Sequence, residues 1–144
     1  GSLIPVVFIS IVVGYGTAVQ ATPVFGWLVE QVLSLDMNPY LLTFVAVNLL
    51  AGMTANGTGG VTLFMENFGA TILGNPAINV GALHRIAAIS GAGFDSLPHN
   101  GAIAFQLSVF KLSYKDGYFQ QFMMSVLVNL LAGLLAVLMA VVLF

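Results

Sequence analysis

The chain is predicted to be an all-α membrane protein, a bundle of transmembrane helices some of which are broken. Three observations carry that prediction. Of 144 residues, 59% are hydrophobic and 6% charged, with a mean hydropathy of +1.03. A soluble domain carries about a quarter charged residues, and three basic plus five acidic side chains cannot coat one of this size. Charge-free runs extend over Leu3–Val29 and Gly117–Phe144, each longer than the ~20 residues that span a bilayer as helix. Finally, glycine-rich polar stretches interrupt the apolar sequence at 54–60 and 91–101.

Taken in order, the first run divides at "GYGTAVQATP" (14–23), because Pro23 cannot donate a backbone bond and disfavours helix at Thr22. The expectation is a helix over about 3–20 and a shorter one over about 23–34, with Gln20 and Thr22 as weak candidates to line a path. "SLDMNPY" (34–40) is a turn. A second helix runs from Tyr40 to about Met53 and ends at "TANGTGG" (54–60), followed by a short helix over about 61–70 holding Glu66 and Asn67. "LGNPAIN" (73–79) is another Asn-Pro turn. A third segment, about 80–91, carries His84 and Arg85 and meets "GAGFDSLPHNGA" (91–102). A helix then runs from about Pro98 to Phe110, "KLSYKD" (111–116) is a polar loop, and 117–144 is a terminal transmembrane helix. Lys111 and Lys115 favour the cytoplasmic side for that loop.

Composition excludes several classes. The absence of cysteine removes disulfide and thiolate chemistry. A net charge of −2 argues against a nucleic-acid surface. The two histidines stand fifteen positions apart with no partner motif, so no metal site is expected, and neither a P-loop nor a dinucleotide fingerprint is present. No cofactor is expected.

Irregular backbone at membrane depth is tolerated only inside protein or beside a watery cavity, and discontinuous helices are the best sequence pointer to a transporter's binding site. In "ANGTGG", Asn56 and Thr58 precede a helix start, while Gly57, Gly59 and Gly60 allow close backbone approach. In "FDSLPHNG", Asp95, Ser96 and Pro98 suit a helix N-terminus, whose N–H groups favour an anion. Asp95 is either a proton carrier or a cap or ion-pair residue. His99 is a substrate contact, a proton relay or a hydrogen-bonded structural residue; an ionisable group within the membrane is a functional candidate by default. Asn100 both donates and accepts, which suits a hydroxy acid. Arg85 clamps a carboxylate, pairs with Glu66 or Asp95, or snorkels to the interface, the last two roles being favoured.

"TPVFGWL", "AVNLLAGMTANGTGGVTLFMENFG", "NPAINVGALHRIAAISGAGFDSLPHNGAI" and "LSYKDGYF" together resemble the C-terminal part of the gluconate permease family, proton-coupled symporters of gluconate and related small acids. The resemblance covers nearly the whole chain, and "ALHRIA…G…FDSLPHNGA" is its most specific part. It implies that residues 1–144 are the C-terminal transmembrane portion of a longer permease, one inverted repeat with a re-entrant hairpin and a broken helix. The Gly-Ser opening in place of Met reads as a leftover tag. It further implies a multi-pass protein of the cytoplasmic (inner) membrane, completed by an N-terminal half and assembled as a homo-oligomer in the lipid bilayer.

On this reading Asn56, Thr58, Gly59, Gly60, Ser96, His99 and Asn100 bind a small organic anion, and Asp95 or His99 carries the coupling proton. Sodium coupling is the nearest variant, since carbonyls around Gly57–Gly60 suit a cation. An intramembrane enzyme using Ser96, His99 and Asp95 is disfavoured because capping explains the Ser96–His99 spacing. An accessory subunit would have no reason to bury "DSLPHNG".

Overall fold

A computed structural model describes residues 3–144, and every regular element among them is helical. Gly1 and Ser2, read from the sequence as a leftover tag, lie outside the described residues. The elements are α1 (Leu3–Gln20), α2 (Pro23–Leu33), α3 (Pro39–Thr54), α4 (Gly57–Leu73), α5 (Val80–Gly91), a 3-10 turn (Phe94–Ser96), α6 (Gly101–Val109), α7 (Tyr114–Gln121), a π-helical turn (Phe122–Leu127) and α8 (Val128–Leu143).

Most helix starts follow one local rule, a side-chain oxygen accepting an otherwise unpaired N–H of the first turn. Thr22 caps Phe25 N, Asn38 caps Tyr40 N, Asn56 caps Gly59 N, Asn79 caps Ala82 N, and Asn100 caps Ala102 N. Pro23 and Pro39 occupy the first helical position, where the missing N–H costs nothing.

Three boundaries differ from the sequence expectation. The break expected at 54–60 contracts to Ala55 and Asn56. Ala55 is left-handed (φ 51°, ψ 34°), and Asn56 N reaches back to Ala51 O at 3.1 Å, closing α3 as a Schellman turn. The glycines that suggested a broken backbone form the first turn of α4 instead. They are needed for contact: a Cβ on Gly60 would lie 2.5–2.8 Å from the backbone N, Cα and Cβ of Ala51. In the second break, α6 starts at Gly101 rather than Pro98. The cap is Asn100, while Asp95 and Ser96 lie in the 3-10 turn. Lastly, the terminal helix begins at Tyr114 and contains a π turn, yet runs unbroken to Leu143.

The bundle is organised around α3, which touches α1, α4, α5, α8 and the 3-10 turn. Ala46, Val47, Leu50 and Ala51 of α3 are buried, as are Phe64 and Phe68 of α4, whose rings stack at 5.2 Å. α8 reaches α3 across Gly133, where a Cβ would collide with the Phe44 ring. Small residues permit such close helix approach. The outer faces are a different matter. Leu131, Leu134, Leu135, Leu138 and Val142 of α8, and Leu3, Val6, Val7 and Ile11 of α1, are all exposed. Tyr114–Leu143, at 30 residues, is long and apolar enough to cross a membrane.

Candidate functional site

Folding brings the two breaks into contact. α3 and α4 form a helical hairpin whose tip, Ala55–Asn56, meets the segment between α5 and α6. Gly57 is pressed so closely on the Gly91 carbonyl that a Cβ there would clash with it. The Asp95 carboxylate lies against the start of α4, with the Gly57 backbone N–H as a hydrogen-bond partner. Asn100 completes the junction: its Nδ2 donates to Ala55 O (2.9 Å), Asp95 O (2.6 Å) and Asp95 Oδ1 (2.9 Å). Its Oδ1 accepts from Ala102 N at 2.6 Å, so one buried amide both caps α6 and joins the hairpin tip to the break.

The residues expected to bind a substrate therefore divide by what their atoms already do. Asn56 accepts from Gly59 N, Gly60 is buried in the α3–α4 crossing, and Asn100 is tied into the junction. The α4 helix start, expected to attract a substrate anion, holds the carboxylate of Asp95. Thr58 is exposed on the first turn of α4, and Ser96 is half-buried in the 3-10 turn. His99 meets the end of α3 rather than the Asp95–Asn100 contact. Its Nε2 stands 2.6 Å from Gly52 O, one of the carbonyls that the end of α3 leaves weakly bonded. A carbonyl can only accept, so Nε2 carries the proton and donates.

Other candidates fall away from this junction. Thr22 is the exposed cap of α2. His84 and Arg85 are exposed on α5, and Arg85 Nη1 donates to Gly81 O one turn back on its own helix rather than serving Glu66 or Asp95.

The second break also depends on residues that sequence reasoning did not single out. Asn48 of α3 accepts from Phe94 N at 3.3 Å and donates to Phe44 O at 2.9 Å. Asn129 donates to Ala92 O (3.3 Å), Tyr118 Oη to Ser96 O (3.1 Å), and Tyr114 Oη to Pro98 O (2.9 Å). These partners for the backbone of the second break come from α3 and the terminal helix. Asn48 and Asn129 did leave a signal: each is a carboxamide isolated within an apolar run. The tyrosines left none, since an aromatic hydroxyl near a helix end is as easily interfacial.

With this geometry in view, a bacterial protein aligns with the chain. The "Uncharacterized transporter YxjC" of Bacillus subtilis (strain 168) is 29% identical to it over 108 residues. The match covers 73% of this chain but 23% of that protein, so the chain corresponds to less than a quarter of its relative's length. No protein-family model matches the chain, and no solved structure does.

Proposed function

We propose that the chain is part of a secondary transporter in the cell's inner membrane that moves a small organic anion, gluconate or a related hydroxy acid, by proton symport. The observation that carries this reading is the junction itself. Two helix interruptions far apart in sequence meet through Asn100, and an acidic side chain is held between them without a basic partner in that contact. A bundle needed only to sit in lipid has no use for such a junction. The exposed apolar faces of α1 and α8 suit lipid or further helices of a longer protein, and the name of the bacillar relative points the same way. On this reading α3–α4 is a re-entrant hairpin, the chain is one of two inverted repeats as in the gluconate permease family, and no catalysis is involved.

The coupling follows from the Asp95 contacts. As a carboxylate, Asp95 accepts from Gly57 N–H and Asn100 and occupies the positive end of α4. Taking up a proton discharges that hold and loosens the junction, so proton uptake is linked to rearrangement of the segment that carries Asp95. The test is uptake by the full-length protein in liposomes, using gluconate and 3-hydroxybutyrate with and without an inward proton gradient. The expected result is gradient-stimulated uptake of at least one acid, with Asp95→Asn losing the stimulation but retaining exchange of internal for external substrate. Uptake driven by sodium alone would replace the proton with sodium. No uptake of any small organic acid under either gradient would end the transporter reading.

A further inference from the structure

The Asp95–Asn100 junction leaves little for a ligand to grip, because its donors are engaged within the protein. A neighbouring pair is placed differently. Tyr15 of α1 and His99 line an open cleft of about 350 Å³, walled otherwise by Leu49, Gly52, Met53, Phe94 and Leu97. The two rings meet edge to face with centroids 6.1 Å apart. With its Nε2 proton given to Gly52 O, His99 has Nδ1 left for the cleft that its ring lines. In this tautomer Nδ1 is an acceptor, so an acid that brings its own proton donates it there, and the Tyr15 hydroxyl in the same lining is a donor to the acid's other oxygen. Around this pair α3 contributes no titratable side chain to the lining, and Asp95, four residues before His99, is turned to Gly57 and Asn100.

The remaining side-chain surface is hydrocarbon and aromatic. A polyhydroxy acid set against Leu49, Met53, Phe94 and Leu97 would lose water from hydroxyls that gain no partner, whereas an apolar body gains by leaving water. We propose that this cleft binds a monocarboxylic acid with an apolar body, the carboxyl group on His99 and Tyr15 and the hydrocarbon against Met53, Leu97 and Phe94. The proposal rests on the organic-anion transporter reading and, among the acids that reading covers, favours those with a hydrocarbon body over polyols such as gluconate.

The test uses the full-length protein in detergent, with Met53→Cys as its single cysteine; residues 1–144 contain none of their own. Maleimide labelling of that thiol is timed with 4-methylpentanoate or gluconate present. At ligand concentrations well above the dissociation constant, 4-methylpentanoate is expected to slow labelling about tenfold, with gluconate at the same concentration leaving the rate unchanged. His99→Ala should abolish the protection, and Tyr15→Phe, which keeps the ring, should weaken the ligand on the order of tenfold. His84→Ala, on the far surface of α5, should retain it. Protection by gluconate equal to that by 4-methylpentanoate, no protection by either, or full protection in both His99→Ala and Tyr15→Phe would overturn the proposal. Labelling protection is read without transport, so a protein that binds the acid but fails the uptake test separates the cleft from the transporter reading.

Discussion

The two breaks look alike in sequence, each a glycine-rich polar interruption of an apolar helix, but they are built on opposite principles. The first, at Ala55–Asn56, is closed mainly by its own neighbours, with Asn100 the outside donor to Ala55 O. Its backbone bonds run to Ala51 and Gly52 of the preceding helix, and its cap serves the following one. The second, between Gly91 and Gly101, is held from outside. Phe94 N, Ala92 O, Ser96 O and Pro98 O all find partners on α3 or on the terminal helix. A turn closed mainly by its own neighbours behaves as a rigid tip. A segment whose polar groups depend on other helices moves when those helices move, which the proposed transport function would require of one of the two breaks.

The largest effect is expected at Gly93, where a Cβ would overlap the Asn48 oxygen that accepts from Phe94 N. Gly93→Ala is expected to destabilise the protein by ~3 kcal/mol through overpacking and the lost bond, read as a fall in melting temperature in detergent. A smaller effect separates the breaks. Tyr118→Phe removes the donor to Ser96 O and should cost ~1 kcal/mol. It should also raise the maleimide reactivity of a cysteine at Ser96 while leaving one at Thr58 unchanged; equal changes at both sites would contradict an externally held second break. The smallest effect belongs to the first break. Ala55 adopts a left-handed conformation that penalises a Cβ, so Ala55→Gly should stabilise by under ~1 kcal/mol after the added chain entropy. A clear loss of stability on that change would mean that the Ala55 methyl, rather than the turn, holds the tip.

Legibility in the sequence follows the same division. The spans of α1, α2 and α5, 3–20, 23–33 and 80–91, were readable to within about a residue because Pro23 and Asn79 act locally. The glycines at 57–60 misled, since a glycine kept free of a side chain for helix crossing looks identical in sequence to one kept for a flexible turn. Likewise Asp95 and Ser96, with Pro98 after them, read as the cap of the next helix, and local preference gave no reason to pass over them for Asn100. Asn100 takes the role because Asp95 is drawn to the start of α4, a contact between residues 38 positions apart.

Composition and short-range pattern were therefore enough to establish an apolar helical bundle, the number and rough place of its interruptions, and the stretch where its polar chemistry concentrates. Those properties depend on hydration and on hydrogen bonds between near neighbours. Which interruption is closed by its near neighbours, which amide joins the two, and that His99 meets Gly52 and Tyr15 came from packing. Each of these depends on which buried donor finds which acceptor once α1, α3, α4 and the terminal helix are brought together, and sequence neighbours do not encode that pairing.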